Sequence, residues 1–554
     1  MTQHFLQNPI LRGFNPDPSI LRVGNDYYIA TSTFEWFPGV QIHHSRDLVN
    51  WRLLTRPLTR KSQLDMRGNS NSAGIWAPCL THDGEKFHLI YTDVKHWSTN
   101  GSFKDTHNYL VTAENIEGPW SEPIYLNSSG FDPSLFHDED GRKWLSNMLW
   151  DHRPGHHPFA GIVLQEYDPV KQKLVGPIKN IFTGTSLKVT EGPHLYRKDG
   201  YYYLLTAEGG TTYEHAVTFA RSRNIDGPYE VHPQNPLLTS FGHPDILVQK
   251  AGHGSLVETQ SGEWYLAHLG GRPLEDMHAS ERHCNLGRET SLQKVEWRED
   301  GWPYVVGGNF PSAQVPVSLL PHPFEPEPAA EDFASGRLSI HWQTLRTPMD
   351  ESWVNFTERP GHLRLVGRES PTSLHHQSLV ARRLQAFHAE AQTTIEFDPD
   401  TFQQMAGLSA YYDTSNWTFL MVTWDERLGR CLKLGTCENG RYSESGTPIS
   451  LPDQAVHLGL RFAHESYQFY FSLDGAQWTP FGPAHPSYKL SDEYCGGLAF
   501  TGTFIALSAH DMSGQRKAAD FSRFEYREFP VLEGFLSASF PSSQANQPEP
   551  VADL

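Results

Sequence analysis

The chain has 554 residues, of which 38% are hydrophobic and 12% aromatic, a composition that indicates a folded globular protein and excludes disorder over most of its length. This length exceeds what a single hydrophobic core usually organises, so we expect two domains. The formal net charge of −19 disfavours nucleic acid and anionic membranes as partners, because both are bound by basic patches, and it fits a neutral small-molecule ligand.

The N-terminal segment MTQHFLQNPILRGF has neither a basic region nor a continuous apolar run, and no later stretch approaches the roughly 18 apolar residues of a membrane span. We therefore expect a cytoplasmic protein. The five cysteines are scattered and include no CxxC pair, which predicts free thiols rather than a disulfide framework or a zinc site.

Five segments in the first part of the chain share one design: a turn with Pro or Gly, a short apolar run, a polar hairpin turn and a strand rich in Tyr and Leu. Alternating apolar and polar residues in these segments indicate strands. A repeat of about 60 residues with about four short strands matches a propeller blade, so residues 1–305 are predicted to form a five-bladed β-propeller. The anchor residues of the repeats are Pro18, Pro78, Pro133, Pro193 and Ser255.

Three carboxylates recur next to these anchors. Asp17, Asp132 and Glu191 lie one or two residues before the anchors of blades one, three and four, and Trp76 and His253 take the corresponding places in blades two and five. The first strand of each blade runs along the propeller axis, so these side chains should converge at one end of it. Each aspartate alone could be a turn cap, but unrelated caps would not recur in register.

The rest of the chain lacks the repeat. Residues 306–330 are rich in proline and are predicted to be a linker. Residues 331–530 contain many short alternating strands and are predicted to form a β-sandwich, followed by a polar tail at 531–554. The whole fold is therefore predicted to be all-β, with no helix of consequence.

Carboxyl groups facing each other across a small pocket are what cleavage of a glycosidic bond requires: one protonates the leaving oxygen and the other activates water or attacks the anomeric carbon. Glu191 has the longer reach and suits the acid, whereas Asp17 suits the base. A third carboxylate, Asp132, would raise the proton affinity of the acid by its like charge.

The other residues expected at this end of the propeller axis have two interpretations each. Phe34 and Trp76 could stack on sugar faces, although Phe34 could equally be a core aromatic between blades. Arg288 could bond sugar hydroxyls or tune the carboxylates, although most arginines are simply solvated. His253 lies between two glycines and could bind a water or a cation at the funnel floor, or be a hydrogen-bonded core histidine.

The motifs NPDPSILRVGNDYYIATSTFEWFPG, IWAPCL, GFDPSLFHDEDGRKWL, TEGPHLYRKDGYYYLLTAEGGT, GHGSLV and LGRET closely resemble those of glycoside hydrolase family 43, and within it the bacterial two-domain β-xylosidases. The resemblance extends from Asn8 to about Glu528. It implies an inverting mechanism with Asp17 as general base, Glu191 as general acid, and Asp132 as the residue that modulates the pKa of the acid and orients it.

The resemblance also implies a substrate. Phe34, Trp76 and Arg288 match positions that line the subsite for the non-reducing xylose, and an aromatic of the sandwich, for which we choose Phe504 over Phe500, should project into the same mouth. We expect an exo-acting β-1,4-xylosidase that releases xylose from xylobiose and xylooligosaccharides, with secondary α-L-arabinofuranosidase activity. The alternatives are an enzyme that is mainly an α-L-arabinofuranosidase and a non-catalytic carbohydrate-binding protein.

The sandwich resembles concanavalin-like and lectin-like jelly rolls, in which acidic residues can hold a structural calcium. Asp332 and Asp520 are the candidates here, although calcium takes about six to eight oxygen ligands and these are only two residues. Catalysis by two carboxylates requires no cofactor. The resemblance further implies a homo-oligomer.

Overall fold

The computed structural model describes residues 4–98, 102–274, 282–496 and 498–529. Within these ranges the chain forms 39 strands, and the one helix is a four-residue 3-10 turn at Ser487–Leu490. The prediction of an all-β fold is confirmed. No helix in the described ranges is long and apolar enough to cross a membrane. The tail predicted at 531–554 lies outside the described residues.

The first domain is a five-bladed β-propeller, and each blade is an antiparallel sheet whose strands follow one another outward in chain order. Blade four carries one additional short strand, which pairs with its third strand. The strands of blades one to three are Ser19–Val23, Asp26–Thr31, Gln41–Ser45 and Arg52–Thr55; Gly74–His82, Phe87–His96, Asp105–Ala113 and Ile124–Asn127; and Ser134–His137, Lys143–Trp150, Phe159–Asp168 and Lys173–Phe182. Those of blades four and five are Glu191–Lys198, Tyr201–Glu208, Ala216–Ser222, Glu230–Val231 and Leu238–Thr239; and Gln249–Glu258, Trp264–Gly271, Glu289–Trp297 and Pro303–Val305.

The innermost strand of each blade contacts those of both neighbouring blades, so the ring is closed. At the junction of blades five and one, Ser255 Oγ donates to the carbonyl of Pro18 at 3.0 Å and accepts from the N–H of Ile20 at 2.8 Å. Outside the ring, strand His4–Gln7 pairs with strand Gln314–Val317, which lies within the segment that the sequence predicts as a linker. That segment therefore includes a strand that holds the N-terminus against the propeller.

The second domain is a sandwich of two eight-stranded sheets around a core of buried aliphatic and aromatic side chains. The first sheet consists of Ala330–Glu331, Val354–Asn355, Leu363–Val366, His388–Glu396, Val456–Ala463, Ser466–Ser472, Thr479–Pro486 and Ala518–Glu528. The second consists of Trp36–Phe37, Gln343–Leu345, Ser378–Arg383, Gln404–Asp413, Asn416–Asp425, Gly429–Glu438, Arg441–Ser450 and Phe504–Asp511.

One strand of the second sheet comes from the propeller domain. Strand Trp36–Phe37, from the loop that follows Phe34 in blade one, pairs antiparallel with Gln343–Leu345 at the edge of the sandwich sheet. The Trp36 ring stacks on Phe504 with their centroids 3.8 Å apart. A hydrophobic core with residues from both domains surrounds this contact. The two domains therefore share one apolar interface.

Candidate active site

Backbone conformation at the inner ends of the blades aims the predicted site residues at the axis. Asp17, Asp132 and His253 have φ angles of 55°, 54° and 47°, in the left-handed region. Aspartate tolerates this region better than most residues, and such conformations concentrate at functional sites because the surrounding structure must hold them. In blade four the left-handed position is Gly192, with φ 56°, and the acidic residue is the one before it, Glu191.

These residues converge on one cavity of about 370 Å³ at one end of the propeller. Of the eight catalytic or substrate-binding residues that the sequence predicts, the cavity brings together all except Phe504. Its wall contains Asp17, Phe34, Trp76, Asp132, Glu191, His253 and Arg288.

Asp17 is fixed by two hydrogen bonds, one to each carboxyl oxygen. Ser32 Oγ donates to Oδ2 at 2.6 Å, and Arg288 Nη1 donates to Oδ1 at 3.0 Å. Arg288 also donates from Nη2 to the carbonyl of Phe500 at 3.1 Å. The guanidinium thus holds a carboxylate of the propeller and the backbone of the sandwich at the same time.

Glu191 and Asp132 both line this cavity. Burial raises the pKa of Glu191 to about 8, and the negative charge of Asp17 adds to that effect. The pKa of Asp132 is also raised, by burial and then by Glu191 and Asp17. The backbone N–H of Gly192 donates to Asp132 Oδ2 at 3.1 Å. A carboxyl group that holds its proton at neutral pH, Glu191, therefore faces the same cavity as Asp17, the carboxylate held by Ser32 and Arg288. An acid and a base of this kind are the pair that general acid–base chemistry requires.

His253 lies beside these carboxyls, with its Nδ1 atom 4.0 Å from Asp132 Oδ2. Burial lowers the pKa of His253, and this outweighs the opposite effect of Asp17, so the imidazole is neutral near pH 7. A Cβ atom on Gly192 would come within 3.0 Å of the His253 ring. Glycine at this position therefore lets blade four approach the histidine closely.

Several cavity residues lie outside the five-fold repeat, and the sequence did not predict them. Trp97 and Lys104 flank the connection between the second and third strands of blade two, and Trp150 and Phe159 do the same in blade three. The Lys104 ammonium is 4.5 Å from the Trp150 ring centroid, and burial lowers its pKa to about 8 although Glu191 opposes this. Trp97, Trp150 and Phe159 are aromatic residues at or next to the ends of these strands, and this is the sequence signal from which the additional cavity residues could have been predicted.

The prediction of Phe504 as the sandwich aromatic in the cavity is wrong, and the residue there is Phe500. Phe504 begins strand Phe504–Asp511, and its fully buried ring points into the interdomain core against Trp36. Phe500 precedes the strand, and its ring centroid lies 5.7 Å from those of both Phe34 and Trp76. Its N–H donates to Ser72 Oγ of the propeller at 3.1 Å.

Phe500 is presented by a segment at residues 491–503 that the propeller holds at several points. Glu493 forms an ion pair with Lys250 and accepts from the N–H of Cys284 at 3.0 Å. The segment also packs backbone to backbone on the propeller, since a Cβ atom on Gly287 would stand 2.2 Å from the carbonyl oxygen of Thr501. These contacts fix the distance of the sandwich from the cavity.

The acidic residues suggested as calcium ligands do not form a cation site. Both oxygens of Asp520 accept hydrogen bonds from arginines: Arg364 donates to Oδ1 at 2.8 Å, and Arg359 donates to Oδ2 at 3.0 Å. Asp332 Oδ1 accepts from the N–H of Ala334. Two guanidinium groups beside Asp520 would repel a cation. Within the described residues there is no group of three or more His, Cys, Asp or Glu placed to hold a metal ion.

Comparison with known proteins gives concordant matches over both domains. Residues 6–303 match the family model of Glycosyl hydrolases family 43, and residues 330–527 match that of the Beta xylosidase C-terminal Concanavalin A-like domain. A Beta-xylosidase of Bacillus subtilis (strain 168) is 54% identical over 533 residues, which are 94% of this chain and 99% of that protein. The Xylosidase/arabinosidase 43B of Humicola insolens is 54% identical over 543 residues, 94% of this chain and 97% of that protein. The crystal structure of the xylan beta-1,4-xylosidase from Bacillus halodurans C-125 has a TM-score of 0.92 and 60% identity, covering 94% of this chain and 100% of that one.

Proposed function

The chain belongs to glycosyl hydrolases family 43 and is a glycoside hydrolase, and from that premise we propose that it is an inverting, exo-acting β-1,4-xylosidase. Its substrates would be xylobiose and xylooligosaccharides, from whose non-reducing ends it releases xylose. The observation that carries the proposal is the convergence of Asp17, Asp132 and Glu191 on one aromatic-walled cavity. The names of the similar proteins support the choice of xylosides.

The proposed mechanism gives each carboxyl group one task. Glu191, which holds its proton at neutral pH, donates it to the leaving oxygen of the glycosidic bond. Asp17, held by Ser32 and Arg288, accepts a proton from the water that attacks the anomeric carbon from the opposite face. Asp17 also supplies the like charge that helps to keep the acid protonated. Asp132, which accepts a hydrogen bond from the N–H of Gly192 next to the acid, is assigned the task of orienting Glu191. No metal or organic cofactor takes part in these steps, so we expect activity to survive treatment with a chelator.

Exo action is supported by the shape of the cavity. The sandwich segment that carries Phe500 covers one side of the mouth, and Phe34, Trp76 and Phe131 form an aromatic wall on the propeller side. A cavity of about 370 Å³ accommodates one or two sugar rings rather than a long chain. We infer that only a chain end enters and that one xylose is released per event.

Proton NMR of xylobiose hydrolysis tests the reaction and its stereochemistry together. The anomeric signal of the newly released sugar is followed before mutarotation. Early α-xylose supports xylosidase action with inversion, because water has attacked the face opposite the leaving group. Early β-xylose would mean retention and would contradict the roles given to Asp17 and Glu191.

A secondary α-L-arabinofuranosidase activity is supported by the name of one similar protein, a Xylosidase/arabinosidase. The ratio of kcat/KM on the 4-nitrophenyl β-D-xyloside and α-L-arabinofuranoside decides which activity is the main one. A protein that binds both sugars and hydrolyses neither would support the non-catalytic alternative. The homo-oligomer and the cytoplasmic location stay predictions, to be tested by light scattering and by cell fractionation.

A further inference from the structure

A second cavity, of about 570 Å³, lies between the propeller and the sandwich. It shares no lining residue with the active-site cavity. The propeller contributes His43 and Trp51 to its wall, and the sandwich contributes Arg382, Arg383 and Tyr526. Whatever occupies this cavity therefore contacts both domains.

The wall contains two adjacent arginines with few partners. Arg382 and Arg383 end strand Ser378–Arg383, and their side chains are only 5% and 6% exposed. The Nε atoms of both lack a hydrogen-bond partner within the described residues. Arg383 donates from Nη2 to the amide oxygen of Gln343 at 2.6 Å, and the ion pair of Arg382 with Glu327 spans 3.7 Å. Neither guanidinium is thus engaged by a carboxylate at hydrogen-bond distance.

A third arginine lies behind them. Arg56 of the propeller is 6% exposed and donates to Gln41 Oε1 at 2.8 Å and to the backbone carbonyls of Ile340 and Trp342. These acceptors are neutral. The positive charge of Arg56 thus remains uncompensated and adds to that of the two arginines in the wall.

Two histidines of the cavity are affected by the same charges. Burial lowers the pKa of His43, and Arg383 and Arg56 lower it further. Burial likewise lowers the pKa of His341 to about 3, with Arg382 and Arg56 adding to the effect. Both imidazoles are therefore neutral, and each can donate or accept one hydrogen bond at the cavity.

The other charged groups at this cavity compensate one another. Arg12 forms an ion pair with Glu528 at 2.8 Å, and Arg527 forms one with Glu525 at 2.9 Å. Among the described residues that line this cavity, Glu327 is then the one acidic group left to face three buried arginines. Burying a charge without a counter-ion is unfavourable, so a binding partner of opposite charge would stabilise these side chains. The site thus has an excess of two positive charges.

We propose that the interdomain cavity is a binding site for a phosphate group, either free or as the phosphate ester of a small molecule. A phosphate dianion matches the excess charge of Arg56, Arg382 and Arg383 over Glu327. The planar fork of arginine suits phosphate oxygens, with which it forms two parallel charge-assisted hydrogen bonds. The cavity is larger than inorganic phosphate requires, and the Trp51 and Tyr526 rings in its wall can pack on the organic part of an ester.

Calorimetric titration of the full chain tests the proposal, with inorganic phosphate as the first probe and chloride held constant. Arg382→Gln and Arg383→Gln should each weaken phosphate binding by roughly tenfold or more, which is the value of one charge-assisted hydrogen bond. Arg427→Gln is the matched control, because it removes the same charge from a side chain that is 91% exposed and does not line this cavity. It should leave phosphate affinity unchanged.

The two sources of the phosphate group are separated by a second titration with xylose 1-phosphate. Tighter binding of the ester than of inorganic phosphate assigns the site to a phosphorylated metabolite, and equal binding assigns it to free phosphate. No heat of binding from wild type, or an equal loss in the Arg427 variant, overturns the proposal. Should the glutamine variants not fold, crystals of wild type grown in saturating phosphate decide: density between Arg382 and Arg383 supports the site, and an empty cavity overturns it.

Discussion

Replacing Glu191 by Gln removes the proposed general acid while keeping the shape of the side chain. The pKa of about 8 means that roughly nine-tenths of the enzyme carries this proton at pH 7. General acid catalysis contributes about 10²- to 10⁴-fold to the rate, so kcat on xylobiose should fall by that factor, equivalent to about 3 to 5 kcal/mol of activation free energy.

The loss should depend on the leaving group. A 4-nitrophenolate leaves without prior protonation, so the variant should retain far more of its activity on 4-nitrophenyl β-xyloside than on xylobiose. The basic limb of the wild-type pH profile, expected near the pKa of Glu191, should also disappear. Stopped assays on both substrates across the pH range measure both effects. Glu230→Gln, on an outer strand of the same blade with a side chain that is 65% exposed, is the matched control.

An equal loss on the two substrates together with an unmoved basic limb would refute the assignment of Glu191. That result would mean that the side chain matters for the structure of the cavity and that another group supplies the proton. Asp132, whose pKa is also raised, would then become the first candidate.

Three other substitutions test the surroundings of the acid. Asp132→Asn should lower kcat on xylobiose and leave the basic limb of kcat/KM in place, because Asp17 and not Asp132 supplies the charge that raises the pKa of Glu191. A limb that moved to lower pH would assign that charge to Asp132. Phe500→Ala should raise KM for xylobiose with little change in Tm. Phe504→Ala should instead lower the free energy of unfolding by about 3 to 5 kcal/mol, because it leaves a cavity in the interdomain core. Denaturation and kinetics that gave the reverse pattern would contradict the placement of the two rings. Gly287→Ala should lower Tm and raise KM together. The added Cβ atom would stand 2.2 Å from a backbone oxygen of the sandwich, so the two domains must separate to admit it. An unchanged Tm by calorimetry would argue against this close packing.

The sequence predicted the propeller and most of the site for one reason, the repeat. A recurring anchor fixes both the number of blades and the register of their inner strands, so the positions of Asp17, Asp132 and Glu191 follow from one another. His253 is in the cavity for the same reason. Trp97 and Lys104 lie outside the repeated positions, in the connection between two strands of blade two. The repeat contains no information about the residues of such connections.

The sandwich was predicted less completely because its contacts join residues far apart in the chain. Phe500 and Phe504 are both aromatics in one short segment, and only the start of a strand after the first of them decides which ring faces the cavity. Asp520 was suggested as a calcium ligand by the resemblance to lectin-like jelly rolls. Its two arginine partners lie more than 150 residues earlier, so nothing near Asp520 in the sequence indicates that they occupy its carboxylate. Strand Trp36–Phe37 is too short to be detected by alternation of apolar and polar residues.

Strand Trp36–Phe37 determines whether the two domains of this enzyme can be separated. A cut in the proline-rich segment would leave the sandwich sheet with an unpaired edge beside Gln343–Leu345 and would expose the Trp36 ring on the propeller. Neither half would be a ready-made module for a fusion protein, and an unprotected edge of this kind invites aggregation. Recombination between relatives should therefore succeed when both domains are exchanged together and fail when one is exchanged alone.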